Sequence, residues 1–280
     1  MRWTLPMGGG RAMRTVLAAI DGSLATKPVL GCARALGIAL NAGVVAVHVR
    51  TDGVDTPRRL ARMADMPLRI RRGPVLDRLI EAGAAEDVVA VVIGARGLSL
   101  DHRTLGGTAT AVATRLSKPV VVVPPDAEPR TEFKRVLVPL EGTVPTSLAP
   151  RSLIELAPGH ELDVVVLHIL ESDSIPSFMD QPQHWHATWT REFLARYCPW
   201  AIDEVDIQTR VGRREQLIPE AAGELGCDLV ALGWSQDLAG DHAPVVRATL
   251  RQSRLPVALI PVPAGETTRG APLGAAISIG

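Results

Sequence analysis

Short apolar runs rich in β-branched residues alternate along this chain with segments whose apolar residues recur every three or four positions. The runs lie at residues 14–20, 44–49, 88–93 and 120–123. A continuous apolar run of this length is typical of a strand buried on both faces of a parallel sheet. The segments between the runs predict helices at 26–40, 74–85 and 109–116.

Two segments between these elements are less regular. Residues 68–72 alternate between apolar and polar and predict an edge strand, whereas the arginine-rich segment 52–65 predicts one or two helical turns. Strand and helix therefore alternate throughout, which predicts an α/β fold with a parallel sheet and helices on both faces. Ligands of such sheets bind beyond the carboxyl ends of the strands. Asp21, Val49 and Gly94 follow or end three predicted strands, so we expect them to lie at one edge.

The same pattern occurs a second time after a polar, proline-containing linker at 126–132. The second copy predicts strands at 134–140, 162–170, 228–233 and 256–261, a helix at 216–225 and an additional helix near 183–197. A chain of 280 residues is long enough for two such domains. We predict domains at 13–125 and 132–262, with mobile segments before and after them.

The stretch from Val88 to Thr108 is a candidate phosphate site. It has a buried strand that ends at Gly94, a loop containing Gly97, and Gly107-Thr108 at the start of a helix. Backbone N–H groups and the positive end of the helix dipole converge at such a turn. Glycine lets the backbone approach the ligand closely, and the Thr108 hydroxyl can donate to a phosphate oxygen.

Composition excludes several other classes of protein. The formal net charge is zero, so nothing indicates a nucleic acid or an anionic membrane as partner. The cysteines Cys32, Cys198 and Cys227 form no disulfide or metal-binding pattern, and the first and last of these are predicted core residues. No apolar run reaches the roughly 18 residues of a membrane span, and no signal peptide is recognisable. We expect a cytoplasmic protein.

Catalytic motifs are also absent from the sequence. There is no G-x4-G-K-[ST] phosphate loop, no G-x-G-x-x-G turn and no G-x-S-x-G nucleophile elbow. No metal site and no general base can be assigned. The sequence therefore favours binding over catalysis, and we predict that the protein is not an enzyme, with slow hydrolysis of a bound phosphate ligand left open.

Taken together, the two copies resemble the universal stress protein family in its tandem two-domain form. The resemblance rests on Asp21-Gly22-Ser23 after the first strand, on His48-Val49, and on Gly94, Gly97, Gly107 and Thr108 in the pattern G-x2-G-x9-G-[ST]. It implies two doubly wound, parallel, five-stranded sheets of the Rossmann-like, adenine nucleotide alpha hydrolase-like class, each with strand order 3-2-1-4-5.

The resemblance also implies a ligand, which is ATP, with Mg²⁺ left open. Asp21 and the backbone near Ala19 and Val49 would line the adenosine pocket, and Thr108 with the Ala109 N–H would meet the phosphates. Two simpler interpretations remain open. Glycines after a strand often only form turns, and Asp21 could merely cap a helix or satisfy a turn.

The second copy departs from the motif. Gly233 is retained, but Gln236 replaces the second glycine, and Val246-Arg247 stands where Gly-Thr is expected. Trp234 could fill the space that this leaves. We therefore predict one adenine nucleotide site, in the first copy, and a structural or partner-binding role for the second. The alternative is a nucleotide-independent scaffold or interaction protein.

The last strand of each copy should lie at the edge of its sheet, where an apolar strand must be covered. The family solution, by resemblance, is antiparallel contact between the last strands of two domains. We therefore predict a pseudo-dimer within the chain, with further homodimerisation and an unknown protein partner left open.

Overall fold

The computed structural model describes residues 14–23, 25–50, 53–95, 106–140, 162–170, 206–238 and 243–262. The predicted helix near 183–197, Gly97, and both chain ends lie outside the described residues. Within them, the strands form one ten-stranded sheet with helices on both faces. The sheet consists of two five-stranded halves, so the predicted α/β class is confirmed.

The first half follows the sequence prediction closely. Its strands are β1 (Thr15–Ala19), β2 (Gly43–Arg50), β3 (Leu68–Arg72), β4 (Val88–Gly94) and β5 (Val120–Val123), and its helices are α1 (Thr26–Ala39), α2 (Asp55–Met63), α3 (Val75–Ala84) and α4 (Gly107–Arg115). The order β3-β2-β1-β4-β5 places β1 in the middle, with parallel neighbours on both sides. The predicted edge strand, β3, lies at the outer edge.

The second half repeats this order as β8-β7-β6-β9-β10. Its strands are β6 (Arg135–Leu140), β7 (Asp163–Leu170), β8 (Asp206–Val211), β9 (Leu229–Trp234) and β10 (Val257–Pro261), and its described helices are α5 (Arg214–Glu224) and α6 (Pro244–Gln252). The sequence pattern did not predict β8 or α6. Gly73 and Gly212, which precede α3 and α5, both have positive φ, at +121° and +144°, so the repeat extends to backbone conformation.

Alternate residues of each strand pack into two apolar layers. Val16, Ala18 and Ile20 of the first strand region face α1 and α2, whereas Leu17 and Ala19 face α3 and α4. Both faces of the sheet are therefore covered, which explains why the strand sequences are continuously apolar. Cys32 and Cys227 are buried as predicted, and burial raises the pKa of both thiols, to about 11 for Cys227.

The two halves join edge to edge through their last strands. β10 pairs antiparallel with β5, with Val257 opposite Val122 and Leu259 opposite Val120. This is the predicted contact between last strands, and it covers both apolar edges. The linker is held as well: Asp228 accepts hydrogen bonds from the N–H groups of Lys134 and Arg135, at 2.8 and 3.0 Å, and from the Arg130 guanidinium.

Candidate functional site

A cavity of about 330 Å³ opens at the carboxyl ends of the strands in the first half. It lies where β1 is flanked by β2 on one side and β4 on the other, which is the point at which the strand order reverses. Open α/β sheets bind their ligands at such switch points. The lining contains all of the candidate residues that the structure describes, namely Ala19, Asp21, Val49, Gly94, Gly107, Thr108 and Ala109.

One wall of the cavity is the N-terminal end of α4. Gly106, Gly107, Thr108 and Ala109 all line it, and Gly106 is fixed by a 2.8 Å hydrogen bond from its N–H to the Ala95 carbonyl. Among the described residues, no side chain caps this helix and its first turn contains no acidic residue. The first N–H groups of a helix have no partner within the helix, so this wall offers donors and a positive dipole end to an anion.

Gly107 faces open space rather than supporting a turn. A Cβ built on it would have no heavy atom of the described residues within 4 Å, and Gly107 is not one of the glycines with positive φ. Its backbone conformation is therefore available to any residue. Gly107 lines the cavity at the N-terminus of α4, where the sequence predicts that a ligand approaches.

Asp21 and Thr26 organise the turn that follows β1. The Asp21 carboxylate accepts a 2.9 Å hydrogen bond from the Ser23 N–H, and the Thr26 hydroxyl oxygen accepts a 3.1 Å hydrogen bond from the Gly22 N–H. Gly22 has a φ of +85°, a conformation suited to glycine. The Asp21 carboxylate thus accepts a backbone hydrogen bond within the turn, as the simpler interpretation expected. It also lines the cavity, where its carboxylate is exposed.

His48 lines the cavity too, although no ligand contact was predicted for it. Its Nδ1 lies 2.9 Å from the Ile20 carbonyl oxygen, and its ring is 4% exposed. Because a carbonyl oxygen can only accept, Nδ1 is the donor of this hydrogen bond. This bond links the ends of β1 and β2. The repeat of His before an apolar residue, at His48 and His168, was the sequence signal for it.

The rest of the lining is mostly apolar. Val29 contributes from α1, Val75 and Leu79 from α3, and Ile93 from β4. The described lining has no Lys or Arg. The cavity therefore combines apolar walls with a few convergent polar groups, which is the usual composition of a small-molecule site.

The corresponding region of the second half is built differently. Trp234, at the end of β9, is 2% exposed, and Val245 and Val246 in the first turn of α6 are buried. α4 and α6 have the same length and the same spacing to the last strand of their half, so Pro244 and Val245, rather than Val246 and Arg247, correspond to Gly107 and Thr108. The loop before α6 is shorter than the loop before α4, which the count along the sequence missed. The filling of the second copy by Trp234 stays a prediction.

His168 makes the stability of the second half depend on pH. Burial, together with the Arg214 charge, lowers the pKa of His168 from 6.5 to about 4, against the opposing effect of a backbone hydrogen bond with Leu140. The unfolded state therefore binds more protons than the folded state between these values, and the stability falls as the pH falls through that window.

We expect the free energy of unfolding to decrease between pH 7 and pH 4.5 by no more than about 3 kcal/mol from this group. Urea titrations of the wild type and of His168→Gln at both pH values would measure it. The variant should lose this part of the pH dependence. Parallel pH profiles for the two proteins would contradict the assignment.

The described residues provide no metal cluster and no membrane span. No group of three His, Cys, Asp or Glu residues among them is arranged to hold a metal ion. No helix in the same part of the chain is both long enough and apolar enough to cross a bilayer.

The fold and the crevice define a doubly wound α/β protein with a ligand-type cavity at its switch point. The sequence model of the universal stress protein family matches residues 132–261. The second half is therefore a universal stress protein family domain, and the first half repeats its strand order, so the resemblance found in the sequence is confirmed. The matched half is the one with the degenerate glycine motif. No curated protein matched the chain.

Solved structures with the same fold cover most of the chain. A universal stress protein from Archaeoglobus fulgidus is 16% identical over 88% of this chain and 98% of its own, with a TM-score of 0.60. A putative universal stress protein from Pseudomonas aeruginosa is 15% identical over 90% and 94%, with a TM-score of 0.61. A universal stress protein solved in complex with cAMP is 16% identical over 47% and 98%, with a TM-score of 0.35. The first two likenesses establish the fold alone.

Proposed function

We propose that the first half binds an adenine nucleotide, ATP in the first instance, and that the protein acts as a nucleotide-dependent regulatory or stress-response protein in the cytoplasm. The observation that carries the proposal is the cavity at the switch point, with the uncapped N-terminus of α4 as one wall and Gly107 in its lining. The N-terminus of a helix is a favourable binding site for a phosphate group.

The division of the cavity into apolar and polar parts suits a nucleotide. Val29, Val75, Leu79 and Ile93 form surfaces against which a base can pack, while Thr108 and the α4 N–H groups form a polar surface for phosphate oxygens. Mg²⁺ would come with the triphosphate, because magnesium is usually held by substrate phosphates, waters and one or two carboxylates. Asp21 is a carboxylate of the described lining.

The alternative, a nucleotide-independent scaffold, predicts glycines that only form turns and a cavity filled by a side chain. Gly107 does not have the positive φ that would require glycine, and the space beside it is open. These facts favour a ligand-binding first half. They leave the scaffold role to the second half, where Trp234 at the end of β9 and Val245 in the first turn of α6 are buried.

Binding without turnover is the second part of the proposal. Asp21 and His48 are the titratable groups of the described lining. Each is already engaged with backbone, Asp21 with the Ser23 N–H and His48 with the Ile20 carbonyl. Neither is paired with a second group in the manner of an activated general base.

Nucleotide binding can be tested directly on the purified chain. We expect isothermal titration to give saturable binding of ATP with one site per chain, and release of nucleotide on acid denaturation if it co-purifies. ADP and GTP titrations would define the preference. The absence of any bound or co-purified nucleotide would refute the proposal, whereas ADP production above that of Thr108→Val would refute binding without turnover.

A further inference from the structure

The second half reaches across the seam to hold the helix that forms the candidate phosphate cradle. Gln236 lies in the loop after β9, and its side-chain Nε2 donates to the carbonyl oxygens of Leu116, at 2.7 Å, and Ala113, at 3.1 Å. Both carbonyls belong to the C-terminal end of α4 in the first half. The two partners lie more than a hundred residues away from Gln236 in sequence.

These hydrogen bonds satisfy groups that α4 cannot satisfy itself. The last carbonyls of a helix have no N–H partner within it, and α4 ends at Arg115, with Leu116 as an extended C-cap residue. An amide N–H donor at this end also complements the negative end of the helix dipole. Gln236 is therefore a C-terminal cap supplied by the other half of the chain.

The backbone conformation of Gln236 costs free energy, and the hydrogen bonds to α4 form in spite of that cost. Its φ is +61°, in the left-handed region that residues with a Cβ seldom adopt. Its counterpart in the first copy of the repeat is Gly97, a residue that would take this conformation without cost. The position where the phosphate motif was lost has thus acquired a side chain that is used at the seam.

We propose that Gln236 is a positioning residue for nucleotide binding, and that the degenerate second half thereby sets the affinity of the first; this inference rests on the proposed function. Helix α4 has nine residues, about 13 Å at 1.5 Å per residue. Gln236 holds one end of this short helix, and Gly107, Thr108 and Ala109 line the cavity at the other. A shift at either end displaces the other, so the coupling is reciprocal.

Two substitutions at Gln236 distinguish the effect of its hydrogen-bond donor from the effect of its side-chain size. Gln236→Glu keeps the length but offers only acceptors to the two carbonyls. Gln236→Lys restores a donor, which the helix C-terminus also favours. We expect the Kd for ATP to rise about three- to tenfold in Gln236→Glu, and to stay within about threefold of the wild type in Gln236→Lys.

A purely structural role is distinguished by a matched control. Cys227→Ala removes a buried atom from the second half, just before β9 and outside the hydrogen bonds of Gln236, and should lower the Tm without changing the Kd. In the wild type, saturation with ATP should also shift the NMR signal of the Gln236 side-chain amide, as reciprocity requires.

The outcomes are distinct. If the wild type binds ATP but Gln236→Glu binds it equally well, or if Cys227→Ala weakens binding in proportion to its Tm, the positioning role is refuted and the proposed function stands. An unshifted Gln236 amide at saturation would refute it too. If the wild type does not bind ATP, the proposed function fails and this inference fails with it.

Discussion

Gly107→Val is expected to remove most of the affinity for ATP while leaving the protein folded. A Cβ added at Gly107 meets no atom of the described residues within 4 Å, so the side chain can be accommodated. Gly107 lines the cavity beside the α4 N–H groups, where phosphate would bind. Overpacking of this kind costs about 1–3 kcal/mol, which corresponds to a Kd about 5- to 150-fold higher.

The chain offers a matched control for this change. Gly223 lies on the exposed side of α5 in the second half, and a Cβ built on it also meets nothing within 4 Å. Gly223→Val should therefore leave the Kd unchanged, and circular dichroism should show both variants folded. If calorimetry gave the same Kd for Gly107→Val and the wild type, the phosphate would have to lie elsewhere.

Asp228→Ala is expected to lower the free energy of unfolding by about 3 kcal/mol. The Asp228 side chain is largely buried, and its carboxylate accepts from two backbone N–H groups and from Arg130. Removing it leaves those donors without an acceptor in the place where the linker enters β6. Urea denaturation with circular dichroism would measure the loss.

The first half supplies the comparison for this prediction. Asp87 occupies the position that corresponds to Asp228, but its carboxylate accepts from the Thr15 hydroxyl, at 2.9 Å, and it is half-buried. Asp87→Ala should therefore cost only about 1 kcal/mol. Equal losses in the two variants would show that the linker contacts of Asp228 contribute little.

Most of the elements could be predicted from the sequence because their apolar residues are continuous. The boundaries of β3 and β5 are those that the pattern predicted, those of β4 differ by one residue at one end, and those of β1 and α3 differ by one residue at each end. The elements that were missed have weak patterns. In β8 only alternate residues are apolar and the strand lies at an edge, and α6 is short and begins at a proline.

The part of the candidate site that consists of backbone groups could be predicted from the sequence. Glycines that leave main chain bare can be recognised in a sequence, and Gly94 and Gly107 do lie at the cavity. No ligand role was predicted for His48, because a repeated histidine marks the position in the sequence but does not show that its side chain lines the cavity. In the sequence, Gln236 stands out only because it replaces a glycine of the motif. Its hydrogen-bond partners on α4 could not be predicted, because they depend on how the two halves pack together.

The pairing of β5 with β10 has a consequence for limited proteolysis. The segment between the halves is exposed at several positions, including Glu128 and Pro129, so a protease can cut there. The fragments would still share one hydrogen-bonded sheet, with three facing residue pairs at its centre. A nicked chain should therefore elute from a sizing column at the volume of the intact one, and its pieces should separate only in denaturant.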